Sequence, residues 1–208
     1  GANPAAINDW TGRAGWLDDN LPVALWQGVT HNGSTSERVT ALTLLKNAIY
    51  GDLGALQHLR GLLKLSLWNN GLAGTLAPLQ QLTLLRKINL SGNALHGDLS
   101  PLTGLLHLAD LNLSRNCLTG TLHALGSLRS LQHCSLSSNQ LRGTLEGLAS
   151  LGDGADSECS LKDLLVQHNS DLFGPVPAEL RGPWTKGRLR IMSTGTSIGG
   201  GDEHIASA

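Results

Sequence analysis

The sequence predicts an α/β-type solenoid: a curved stack of short repeats with a parallel β-sheet along its concave face. Three observations predict it. Written in rows of 23, the chain repeats one pattern through five rows without insertion or deletion. Leucine supplies 44 of the 208 residues while Phe and Tyr occur once each, an aliphatic bias that belongs to repeat architectures. Each row carries a single L-x-L alternation, so it holds one short strand and cannot close a core alone. Parallel stacking of rows buries those leucines in one continuous column.

The register can be followed column by column. Leu62, Leu85, Leu108 and Leu131 form one column, headed by Val39. Leu65, Ile88, Leu111 and Cys134 form the next after Leu42, and Leu67, Leu90, Leu113 and Leu136 follow after Leu44. Asn47, Asn70, Asn93, Asn116 and Asn139 come next, then Ile49, Leu72, Leu95, Leu118 and Leu141, and finally Gly51, Gly74, Gly97, Gly120 and Gly143. Further columns such as Leu76, Leu79 and Leu82 are spaced by three, which suits a 3₁₀ turn or an irregular convex arc better than a full α-helix. Six strands at about 4.8 Å spacing give a sheet roughly 25–30 Å wide.

A sixth row, "LKDLLVQHNSDLFGPVP", carries Leu161, Leu164, Val166 and Asn169. It follows a polar, acidic interruption at 152–158, and its step from Asn169 to Gly174 is one residue longer than in earlier rows. A seventh strand is expected at "RLRIM", 188–192, although the asparagine is gone. Residues 193–208 are glycine-rich and read as a loose tail or linker. The expected organisation is an N-terminal cap over 1–37, repeats over 38–192 and a tail over 193–208.

The pattern L-x-x-L-x-L-x-x-N-x-L over 38–192 resembles the leucine-rich-repeat family. Before it, Trp10, Trp16, Trp26, Gly28, Val29, Arg38, Val39, Leu42 and Leu44 resemble the N-terminal cap of plant-type members. Secreted plant versions set cysteines beside the W-x-G-V segment; Trp26-Gln27-Gly28-Val29 has none, which is similar to cysteine-free algal, protist and bacterial caps. Such a cap would plug the open end of the leucine column. The resemblance implies a binding scaffold without catalysis or cofactor, using the concave sheet as its contact surface. The cysteine-free cap favours an intracellular or organellar setting over secretion without fixing it. The chain opens on Gly1, so a processed form or an excerpt of a longer chain is expected.

Charge and composition narrow the partner. Net charge is −1 with both signs interspersed, which leaves no electrostatic footprint for nucleic acid. No apolar run is long enough to span a bilayer, so no direct membrane insertion is expected. Cys117, Cys134 and Cys159 form neither a disulfide framework nor a close-spaced metal set, and Cys134 takes a leucine's place in the core. The expected partner is another protein, met in solution or within a multi-subunit complex.

The outward strand positions are the candidate contact residues. The first column reads Ala41, Lys64, Lys87, Asp110, His133, Asp163; the second Thr43, Ser66, Asn89, Asn112, Ser135, Leu165. The third reads Leu45, Trp68, Ser91, Ser114, Ser137, Gln167, and the fourth Lys46, Asn69, Gly92, Arg115, Ser138, His168. Binding is assigned to Leu45, Lys46, Lys64, Trp68, Lys87, Asn89, Asp110, Asn112, Ser114, Arg115, His133 and His168. An exposed Trp beside cations has hot-spot composition; the competing reading is that Trp68 packs over Leu45.

Other chemistries are weaker. Asp110, His133 and Ser135 stand in adjacent rows, but an open sheet supplies neither an oxyanion hole nor water exclusion, so no catalytic residue is assigned. His133 and His168 lack a third metal ligand at useful spacing. An ice- or mineral-binding face would need a regular Thr or Ser grid, and the second column is too mixed. Sequons occur at Asn32, Asn89 and Asn112; the last two follow from the N-L-S wording of the repeat, so Asn32 is the better acceptor. An extracellular recognition or enzyme-inhibitor domain therefore remains the alternative. The 152–158 insertion is read equally as a contact loop or as a neutral one.

The recurring asparagines, Asn47, Asn70, Asn93, Asn116, Asn139 and Asn169, are read as wall rather than site. They fall where the chain turns inward, and stacked amides there can pair backbone groups that would otherwise be buried unsatisfied.

Overall fold

The computed structural model describes residues 28–31, 39–152 and 159–199. The cap tryptophans, Asn32 and all of the insertion beyond Gly152 lie outside the described residues. Within them the chain is a curved stack built on an eight-stranded sheet. Val29–His31 runs antiparallel to Val39–Thr43, and from there every strand is parallel to the last: Lys64–Ser66, Lys87–Asn89, Asp110–Asn112, His133–Ser135, Asp163–Leu165 and Arg190–Met192. The seventh-row strand expected at 188–192 is the last of these.

The strands are short because only the L-x-L segment of each row alternates. Its leucines point inward and are buried: Leu65, Leu85, Leu90, Leu108, Leu113, Leu131 and Leu136 are wholly enclosed. Cys134 fills the leucine position of its row at 2 % exposure, and burial pushes its thiol up to about 12. On the convex side the leucine triplets form 3₁₀ turns at Gly54–His58, Ala77–Gln81, Ser100–Leu102, His123–Ser127 and Leu145–Leu151. The residue two before each of several turns holds it open: Asp52 accepts from the Gly54 amide and Asp98 from Ser100. Hydrogen bonds from the Ser100 hydroxyl and amide hold the Asp98 carboxyl below its ordinary range.

A second layer of strands, absent from the sequence reading, follows each asparagine turn. Tyr50–Gly51, Gly71–Gly74, Ala94–Gly97 and Cys117–Leu118 pair in parallel, as do Arg142–Gly143, Asp171–Gly174 and Ser197–Ile198. All of these strands but Cys117–Leu118 end at or beside a glycine in the left-handed region, for example Gly97 at φ +84° and Gly174 at φ +87°, where a Cβ would strain the turn. The extra residue between Asn169 and Gly174 is absorbed by a local turn in which the Leu172 amide donates to the Asn169 carbonyl at 3.1 Å.

The stack also runs past residue 192. Ser197–Ile198 pairs with Phe173–Gly174, and Gly199 repeats the left-handed glycine at φ +91°. Strand pairing therefore continues through Ile198, inside the stretch expected as a tail from 193. Thr196 stands in the asparagine column there: its hydroxyl donates to the Ser193 carbonyl at 2.6 Å and accepts from the Ile198 amide at 3.3 Å. A helix at Ala178–Thr185, which Gly182 and Pro183 disguise in the sequence, crosses the return path and buries Leu180.

Candidate functional site

The concave sheet forms an open trough of about 430 Å³, floored by strand residues of the inner rows and bordered by Lys64 at one end and Arg190 at the other. Strand register sets the first outward column side by side as Ala41, Lys64, Lys87, Asp110, His133, Asp163 and Arg190. Because parallel neighbours are about 4.8 Å apart, charges in this column meet across rows. Lys87 Nζ lies 2.6 Å from Asp110. His133 Nδ1–H donates to Asp163 Oδ2 at 2.6 Å, and Arg190 Nε donates to the other oxygen at 2.8 Å. Sequence reading ended this column at Asp163 and missed Arg190; the L-x-L wording of "RLRIM" was the signal that places it.

Burial raises the Asp163 carboxyl, but the hydrogen bonds and charges of His133 and Arg190 outweigh that and hold its pKa below the ordinary value. A carboxylate with a lowered folded pKa stabilises the fold fully at neutral pH and loses that contribution as pH falls through the folded pKa. Asp163→Asn should therefore flatten the acid limb of the stability profile. Urea unfolding at about pH 7 and about pH 3 checks this, with the larger loss on acidification expected in the unaltered chain. Equal losses would show that the pair contributes nothing.

The second and third columns are small and polar. Ser91 Oγ donates to Asn89 Oδ1, and Ser114 Oγ donates to Asn112 Oδ1, both at 2.8 Å. Ser137 Oγ donates to Gln167 Oε1 at 2.6 Å. At the N-terminal end Leu45 is 39 % exposed, and Trp68 is half-buried with Lys46 Nζ 5.1 Å from its ring centroid.

The fourth column is corrected by the backbone. Lys46, Asn69, Gly92, Arg115, Ser138 and His168 are not strand residues; all have φ between +52° and +66°, in the left-handed turn that follows each strand. Among them Lys46, Arg115 and His168 are exposed, and none of the six lines the trough. His168 and His133 do not share a site, and no cluster of three metal-ligating side chains occurs among the described residues. The combination of Asp110, His133 and Ser135 is also undone, since Asp110 is held by Lys87 and His133 by Asp163.

The asparagine column is spent on the backbone. Asn116 Nδ2 donates to the Leu90 and Leu113 carbonyls at 3.0 Å each, and its Oδ1 accepts from the Leu95 amide at 3.0 Å. Asn70, Asn93, Asn139 and Asn169 repeat the arrangement, each tying its own row to the one before. Asn70 Oδ1 accepts from the Asn47 amide at 2.9 Å.

A scan against protein-family models gives no match, and no curated protein sequence matches. Solved structures do match. The ectodomain of the Arabidopsis receptor kinase HAESA, in complex with an N-terminally extended IDA peptide hormone, superposes with a TM-score of 0.71 at 27 % identity; the match covers 95 % of this chain and 31 % of that one. The chain has the leucine-rich-repeat fold. The BIR2 ectodomain of Arabidopsis thaliana gives a TM-score of 0.64 at 26 % identity, covering 72 % of this leucine-rich-repeat chain and 81 % of its own. A plant ice-binding protein shares the fold, with a TM-score of 0.65 at 24 % identity over 93 % of this chain and 68 % of that one. No helix among the described residues is long and apolar enough to cross a membrane.

Proposed function

We propose that this leucine-rich-repeat chain is a non-enzymatic interaction module that binds a protein partner through its concave face, free in solution or as a subunit of a larger assembly. The supporting observation is the face itself: an open trough, and outside its lining, in the first two rows, half-buried Trp68 beneath Lys46 together with exposed Leu45. An aromatic anchor with a cation over its ring concentrates binding energy, while the small polar centre admits a chain laid across it. Such a surface lacks the enclosure that turnover needs. Among the solved structures that share the fold, the HAESA receptor-kinase ectodomain is bound to a peptide hormone, which supports the same reading.

Trp68→Ala tests it. Co-purification from the native source should recover a specific partner, and the substitution should reduce that recovery at least tenfold, or about 1.4 kcal/mol, without changing the circular dichroism. Elution of the unaltered chain alone at monomer size, or unchanged recovery with the variant, would defeat the proposal. The alternative, an extracellular recognition or inhibitor domain, is favoured by the receptor ectodomains among the solved relatives; a glycan on Asn32 of the native protein would mark it.

A further inference from the structure

We infer that the partner presents an acidic, extended segment to the N-terminal rows of the concave face; this deepens the interaction reading and rests on it. Charge in this chain is segregated along the stack. Residues 39–97 contain Lys46, Arg60, Lys64, Arg86 and Lys87 against one carboxylate, Asp52, although the whole chain carries −1. Asp52 does not offset them at the face, because it accepts from the Gly54 amide at the start of a convex turn.

The two ends of the trough then differ in what they leave unpaired. At the C-terminal end Asp163 is held between His133 and Arg190, so that group is neutralised internally. In the middle Lys87 is answered by Asp110. Toward the N-terminus Lys64 and Lys46 have no carboxylate within ion-pair distance among the described residues, and Lys46 instead rests over the Trp68 ring. An extended segment alternating acidic and apolar side chains answers both features, with carboxylates toward Lys46 and Lys64 and an apolar group against Leu45 and the Trp68 edge. A single-stranded nucleic acid answers them less well. Base stacking needs successive aromatic platforms, and Trp68 is the one aromatic residue on the face among the described residues.

Selection of random 12-residue peptides displayed on phage against the full chain tests the inference. Enriched peptides should carry a net negative charge, and their affinity, measured by fluorescence anisotropy, should fall at least tenfold with Lys46→Glu or Lys64→Glu. Lys64→Gln should give a smaller loss in the same direction, and Arg190→Gln should give almost none. Raising salt should weaken the interaction. Enriched peptides that are neutral or basic, yet lost with Trp68→Ala, would overturn the acidic preference and leave the concave-face reading standing. Failure to enrich any peptide above a blank surface would overturn both. Displacement of a selected peptide by a single-stranded oligonucleotide at equal concentration would reassign the face to phosphate chains.

Discussion

Asn116→Leu should lower the free energy of unfolding by about 1–3 kcal/mol, read as a shift in the urea midpoint. The magnitude follows from what the amide serves. Its loss leaves the Leu95 amide without its acceptor and takes one of two donors from the Leu90 and Leu113 carbonyls, which keep Asn93 and Asn139 respectively. A buried group left unpaired costs about 1–3 kcal/mol, and leucine's extra apolar burial offsets part of the total. Thr196→Ala, at the same column of the last row, should cost under about 1 kcal/mol, because its hydroxyl serves one carbonyl and one amide of its own row. Asn116→Leu should leave a selected concave-face ligand bound at temperatures where the variant remains folded. Lost binding with an unchanged midpoint would make Asn116 a contact residue after all.

Gly147→Ala should destabilise the stack by about 2–3 kcal/mol, against the usual direction of a glycine-to-alanine change in a turn. Gly147 sits in the 3₁₀ turn Leu145–Leu151, which packs directly on the turn His123–Ser127 of the row before. A Cβ on Gly147 would lie 2.5 Å from His123 Cα and 2.7 Å from its nitrogen, both backbone atoms that cannot rotate away. Gly104 gives the contrast. Nothing lies within 4 Å of a Cβ built there, so Gly104→Ala should be neutral or stabilising by a few tenths of a kcal/mol, about 0.4. Paired thermal melts decide the matter, and similar midpoints for the two variants would show that the turns can separate at little cost.

Much of this was legible in the sequence because the period is rigid. A strand alternates with period two, so reading every second residue of L-x-L recovered the first two outward columns in register, and the leucine triplets announced their 3₁₀ turns. The fourth column failed for a physical reason. The backbone leaves the strand three residues before this position, and only Gly92 and Asn69 hint at a left-handed conformation that Lys46, Arg115, Ser138 and His168 also adopt. The second strand layer was hidden because its strands are two to four residues long, too short to show a period. The first column already set Asp163 after His133 across a 30-residue step, but the hydrogen bond between them depends on side-chain geometry that letters do not carry. The charges of the face were readable one by one; which of them cancel was decided by register.

The row-to-row bonding has a consequence for how the molecule comes apart. Leu67, Leu90 and Leu113 each donate their amide to the following row, at 2.9 Å, and the asparagines reach back to the preceding one. A middle row cannot melt while its neighbours stand, since its release would break bonds on both sides and open two apolar interfaces at once. The stack must unzip from an end, and amide hydrogen exchange should report a gradient: slowest around Leu90 and Leu113, faster toward Arg190–Met192, where the outermost row has one bonded neighbour among the described residues. The cationic rows lie inward of the N-terminal edge and so share that protection, which holds the charged surface in one shape while the far end frays.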